Sequence, residues 1–130
     1  MQKVETPNAP PALGHYEQAW IHNGLVFTSG QIPLDPSNPA EVTGDITSQV
    51  KQTLQNVEAI LIAAGSDKYH VLKVTIFMAN IQDWPIINQV YADFFESHKP
   101  ARSAVPVPAL PKGSLVEIEV IASVKSSSPS

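Results

Sequence analysis

The sequence predicts an α+β domain: one β-sheet with two helices packed on a single face, in the order β-β-α-β-α-β-β. Three observations lead there. A chain of 130 residues suits one domain with a real core. Two apolar stripes at helical spacing alternate with short runs rich in β-branched residues. No internal repeat, charge block or apolar run near the ~18 residues of a membrane span interrupts this alternation. The expected domain covers 1–125, and Ser126-Ser-Ser-Pro-Ser130 reads as a disordered tail.

The elements follow in order. Segments 19–22 and 25–28 flank Asn23-Gly24, a dipeptide suited to the positive φ angles of a two-residue hairpin turn. Residues 32–44 are rich in Pro, Asp, Ser and Asn and read as loop, after which Asp45 can cap a helix. Ile46, Val50, Leu54, Val57, Leu61 and Ala64 form its apolar stripe, and Gly65 closes it in a left-handed conformation. Residues 71–78, Val-Leu-Lys-Val-Thr-Ile-Phe-Met, are a strand by composition and length. Asp83 is the expected cap of the second helix, with Pro85 in its first turn and Trp84, Ile87, Tyr91 and Phe94 on its buried face. His98 and Lys99 suit its C-terminal end, and Pro100 stops it. Two strands, 101–107 and 115–125, complete the order.

The last strand has two unlike faces. Val116, Ile118 and Val120 suit the helix side, whereas Glu117 and Glu119 share the other with Leu115 and Ile121. That mixed face is expected to be buried by another subunit.

Composition narrows the functional classes. Without cysteine there is no disulfide, thiolate nucleophile or cysteine zinc site. A net charge of −4 with eight Lys and Arg disfavours nucleic-acid binding. The N-terminus carries neither a secretory signal nor a transit-peptide pattern, so the expected location is cytoplasmic, or mitochondrial if a presequence has been removed. His15, His22, His70 and His98 show no metal-ligand spacing, and no phosphate loop, Gly-x-Ser-x-Gly elbow or dinucleotide fingerprint is present. No metal, cofactor, nucleic acid or membrane partner is expected.

Pro100-Ala-Arg-Ser103 is the most informative stretch. Arg102 enters a strand from a proline-marked turn, and its planar fork of donors matches a carboxylate bidentately. Together with Glu117 it places a guanidinium and a carboxylate on strands expected to be neighbours. Read singly, each is more often a solvated or salt-bridged side chain.

Several motifs accompany Arg102: Gly24-Leu-Val-Phe-Thr-Ser-Gly-Gln-Ile-Pro-Leu-Asp-Pro36, Gly44-Asp-Ile46, Gln52-Thr-Leu-Gln-Asn-Val-Glu-Ala-Ile-Leu61, Asn88-Gln-Val-Tyr91 and Leu110-Pro-Lys-Gly113. In order and spacing the chain resembles the Rid (YjgF-type) family of reactive-intermediate deaminases over 17–125. The resemblance implies a homotrimer of chorismate-mutase-like protomers with sites in the clefts between subunits. It also implies hydrolysis of 2-aminoacrylate and related enamine or imine acids to 2-keto acids and ammonia, without metal or cofactor. By the same likeness Arg102 binds the substrate carboxylate and Glu117 holds the hydrolytic water. Tyr16 covers the pocket, Ser29 and Gly30 line it, Asn88 lies at a pocket position, and the backbone of Ala104 helps hold carboxylate or water. Glu119 is left structural. A 2-keto acid-binding, regulatory or chaperone-like trimer is the alternative, with an endoribonuclease or translation inhibitor behind it.

Two departures stand out. The family's Gly-Pro-Tyr-Ser-Gln is here Gly14-His15-Tyr16-Glu17-Gln18, and position 104, often cysteine, is alanine. The first replaces a rigid proline with a titratable imidazole.

Overall fold

The structure is a computed structural model that describes residues 1–125. The tail expected to be disordered, 126–130, lies outside the described residues. Eight principal elements follow one another: β1 (Gln2–Val4), β2 (Ala19–His22), β3 (Leu25–Thr28), α1 (Ile46–Ala63), β4 (Val71–Met78), α2 (Trp84–Phe95), β5 (Ala101–Pro106) and β6 (Val116–Ser123). The six strands form one mixed sheet in the order β1-β2-β3-β6-β4-β5.

The expected order holds from β2 onward, and β1 is an addition. Gln2, Lys3 and Val4 pair antiparallel with Ile21, Trp20 and Ala19. Three residues without alternation carry no strand signal of their own; the backbone edge of β2 supplies the partner.

The turn at Asn23 (φ 51°) and Gly24 (φ 78°) joins β2 to β3 as its residues dictate. Asp45 caps α1 by accepting from the Ser48 amide at 3.0 Å. At the other end Gly65 adopts φ 79°, and the Ser66 amide returns to the Leu61 carbonyl at 2.8 Å. The second helix begins differently from the expectation. Asp83 is already helical (φ −80°, ψ −6°) and makes no side-chain cap. A short turn over Ile81–Asp83 precedes it, and Asn80 accepts from the Gln82 amide at 2.9 Å instead. Phe95, not Phe94, is the fully buried phenylalanine of α2. Phe94 lies partly exposed with the Lys68 ammonium 4.7 Å from its ring centre.

Both helices cover one face of the sheet. Val26, Val74, Ile76, Met78, Val116, Ile118, Val120 and Ala122 point into that layer with Val50, Leu54, Val57, Leu61 and Ile87. Among the described residues no helix covers the other face, where Trp20 and Phe27 stand opposite each other, 39% and 42% exposed, and Ile121 pairs with Phe27.

One expectation about the sheet is overturned. The strands of Arg102 and Glu117 are not neighbours, because β4 lies between them. The β4-α2-β5 crossover makes β5 parallel to β4, and β6 takes the opposite side of β4 as an antiparallel partner. Beta5 is therefore an edge strand, as Pro106 suggests.

Candidate functional site

Strand register fixes where each candidate side chain points. Arg102 pairs with Val74, which pairs in turn with Val120, so Arg102 belongs to the helix-covered face. Glu117 pairs with Phe77, three residues from Val74 and hence on the opposite, open face. Within one protomer the guanidinium and the carboxylate look in opposite directions.

Glu117 lies in a cavity of about 480 Å³ lined by Leu13, Tyr16, Ser29, Gly30, Ile32 and Lys112 among others. Gly30 is there for space. Gln31 and Ile118 exchange backbone hydrogen bonds at 2.8 and 3.0 Å, drawing residue 30 against the glutamate. A Cβ on Gly30 would lie 2.9 Å from Glu117 Cδ and closer still to its Oε2, so the carboxylate would have to move away. The carboxyl pKa is raised, first by burial and then by the neighbouring Glu119 charge. That combination favours a group able to take up and return a proton.

The remaining lining residues hold the loop in place. Ser29 donates its hydroxyl hydrogen to the Glu17 carbonyl at 2.6 Å, and its amide bonds the Gln18 carbonyl at 2.9 Å. Its oxygen is thus available as an acceptor, while its proton is committed to the fold. Tyr16 is 48% exposed, and its phenol oxygen accepts from the Leu13 amide at 3.3 Å. Gln18, buried beneath, accepts from the Thr6 amide at 2.7 Å and donates to the Pro10 carbonyl at 2.9 Å. This side chain ties 6–10 to β2 and so fixes the segment that bears Tyr16.

Arg102 and Asn88 meet elsewhere. Arg102 Nη1 donates to Asn88 Oδ1 at 2.8 Å, and the guanidinium carbon lies 4.8 Å from the ring centres of both Trp84 and Tyr91. These groups border a second cavity of about 360 Å³ with Phe95, His98 and Lys99. Ala104 is half-buried on the same strand face as Arg102. The Val107 amide donates to Met78, so by alternation along β5 the amide of Ala104 points away from β4 to the free edge. Among the described residues no cluster of His, Cys, Asp or Glu could hold a metal ion.

The structure thus brings Tyr16, Ser29 and Gly30 to Glu117, and Asn88 and Ala104 to the side of Arg102. It does not bring the two groups together within the chain. Sequence reasoning placed Trp84 and Tyr91 in the helix core and missed their contact with Arg102. The signal was available in their spacing around Asn88, four and three residues along one helix face. Lys112, held at φ 56° on the rim of the Glu117 cavity, also went unassigned.

Comparison with known proteins identifies the family and the fold. Residues 6–124 match the family model described as Endoribonuclease L-PSP. The human 2-iminobutanoate/2-iminopropanoate deaminase is 44% identical over 92% of this chain and 87% of its own. YyfA of Yersinia pestis, of the Rid protein family, is 49% identical with a TM-score of 0.92, covering 95% of this chain and 98% of that one. Escherichia coli TdcF, solved with bound serine, is 42% identical with a TM-score of 0.91, covering 97% of this chain and 100% of that one.

Proposed function

Because the chain belongs to the Endoribonuclease L-PSP family, the YjgF/Rid family, we propose that it hydrolyses 2-aminoacrylate and related 2-imino acids to 2-keto acids and ammonia. The observation that carries this reading is Glu117, a carboxyl of raised pKa held against Gly30 on the wall of an open cavity. The name of the human relative supports the same chemistry.

The chemistry asks for two charges in fixed places. Arg102 holds the substrate carboxylate through the planar edge of its guanidinium. Glu117 orients a water toward C2 of the imine and accepts its proton as the C–O bond forms. The same proton passes to nitrogen to give a carbinolamine; the C2 hydroxyl proton then moves to nitrogen as the C–N bond breaks, so that ammonia leaves and the hydroxyl oxygen becomes the keto oxygen. Positioning supplies much of the acceleration, since imine hydrolysis is intrinsically easy.

Arg102 and Glu117 occupy opposite faces of one sheet. The site is therefore read as composite, in a homotrimer where Arg102 of one subunit faces the Glu117 cavity of the next. Trp20 and Phe27 on the uncovered face favour such an assembly. The role is clearance of reactive metabolites.

The test generates imino acids in situ with an amino-acid oxidase, traps the remaining imine with semicarbazide, and compares the protein with Arg102→Ala. Faster loss of imine with the unsubstituted protein alone is the expected result. No acceleration from folded protein with any substrate would sink the deaminase reading. Binding without turnover is the second reading, favoured by the serine bound to TdcF; Glu117→Gln would then leave ligand affinity and all else unchanged. RNA cleavage is the activity named in the family description, but eight Lys and Arg against twelve Asp and Glu give little to neutralise phosphates.

A further inference from the structure

Resting on Arg102 as the carboxylate anchor, we propose that Trp84, Asn88 and Tyr91 form a clamp that fixes the Arg102 guanidinium for carboxylate recognition, making all three positioning residues. They follow one another at steps of four and three along α2, so they share one face of the helix. That face meets β5 where Arg102 leaves the strand.

Each member constrains a different freedom. Trp84 and Tyr91 both lie 4.8 Å from the guanidinium carbon and hold its position by cation–π attraction. Asn88 accepts from Nη1 at 2.8 Å and fixes rotation of the fork. A guanidinium has five donors, so this bond leaves the Nε/Nη2 edge free for the two oxygens of a carboxylate. Without the clamp, an exposed arginine on an edge strand would sample many rotamers, and ordering them would weaken binding.

The chemistry of the clamp matters as much as its geometry. Among the described residues no Asp or Glu forms an ion pair with Arg102. Its nearest partners are two aromatic faces and a neutral amide, so its positive charge stays uncompensated and available to an anion. Tyr91 is 6% exposed and its hydroxyl lacks a hydrogen-bond partner of good geometry. An orphaned buried hydroxyl is costly, and here it sits beside the guanidinium: burial raises the phenol pKa while the Arg102 charge lowers it.

The intact oligomer is titrated with 2-ketobutyrate, a stable carboxylate probe, and assayed for imine consumption in parallel. Trp84→Leu and Asn88→Asp are each expected to raise both Kd and KM about tenfold, with kcat within about twofold. The first removes the stacking surface, and the second neutralises the cation with an isosteric carboxylate. Trp84→Phe retains an aromatic face and is expected to recover most of the affinity. In an Arg102→Ala background Trp84→Leu should change nothing further, because its effect runs through the arginine. Equal losses with and without Arg102, or a fall in kcat at unchanged KM, would overturn the clamp. If Arg102→Ala weakens 2-ketobutyrate binding but Trp84→Leu and Asn88→Asp do not, the clamp alone falls and the anchor stands. If Arg102→Ala matches the unsubstituted protein in both assays, the anchor falls and the clamp with it.

Discussion

Glu117 and Gly30 work as a pair, and each predicts a distinct failure. Burial and the Glu119 charge raise the Glu117 pKa, so the folded state favours its protonated form. That contribution to stability is complete below the unfolded value near ~4.3 and is lost as pH rises through the folded value. Above the unfolded value the raised pKa opposes folding. Glu117→Gln is therefore expected to lower kcat on the order of 100-fold while raising Tm at pH 7 by about 1–3 °C, a shift kept small because the group is partly solvated. Thermal melts from pH 3 to 8 check the sign: the gap between the proteins should close below pH ~4. A variant less stable than the parent at pH 7 would contradict the assigned cost. Gly30→Ala acts by collision, since the new Cβ would overlap the Glu117 carboxylate. Displacing that carboxylate should reduce kcat at least ~10-fold and leave 2-ketobutyrate affinity, which the proposed function assigns to Arg102, nearly unchanged; unaltered kcat would show that Glu117 tolerates displacement.

At the scale of elements, long loops are held by single buried amides. Asn56 on α1 donates to the Ile32 and Leu34 carbonyls at 3.1 and 2.9 Å, fastening the segment after Gly30 to the helix. Gln49 binds the Gly44 carbonyl and the Leu115 amide, both at 2.9 Å, joining the start of α1 to the approach to β6. Asn56→Ala leaves two carbonyls without their donor and is expected to cost about 1–3 kcal/mol, read as a lower urea midpoint at unchanged m-value. A midpoint within error of the parent would mean that water replaces the amide freely. These ties also show what the sequence could express. Local chemistry made the hairpin at Asn23-Gly24, the Asp45 cap and the Gly65 stop readable, because each depends on residues within a few positions. Asp83 misled because Asn80 begins the turn three residues earlier. Beta1 was silent because its stability comes from the edge of β2, a partner that Gln-Lys-Val does not encode.

Across the whole molecule, the relation between Arg102 and Glu117 separates what sequence can and cannot specify. Alternation alone assigned Glu117 to the open face, and residue type alone marked Arg102 as an anchor. Their relation needed the strand order, because inserting β4 between them and fixing the register by long-range pairing sets them on opposite faces. Under the proposed composite site, two inactive proteins should therefore repair each other. Arg102→Ala retains an intact Glu117 cavity, and Glu117→Gln retains an intact arginine. Unfolded together in equal amounts and refolded, they should form mixed rings in which about a quarter of the clefts combine an unsubstituted Arg102 with an unsubstituted Glu117. Imine hydrolysis should return to about a quarter of the level of the unsubstituted protein carried through the same treatment. Each variant refolded alone should remain inactive. Phe27→Glu, placed on the uncovered sheet face, should abolish both the assembly and the repair by burying an unpaired charge. Sedimentation of the refolded mixtures, read beside their activity, decides the matter: mixed oligomers without recovered activity would mean that no cleft joins Arg102 of one subunit to Glu117 of another.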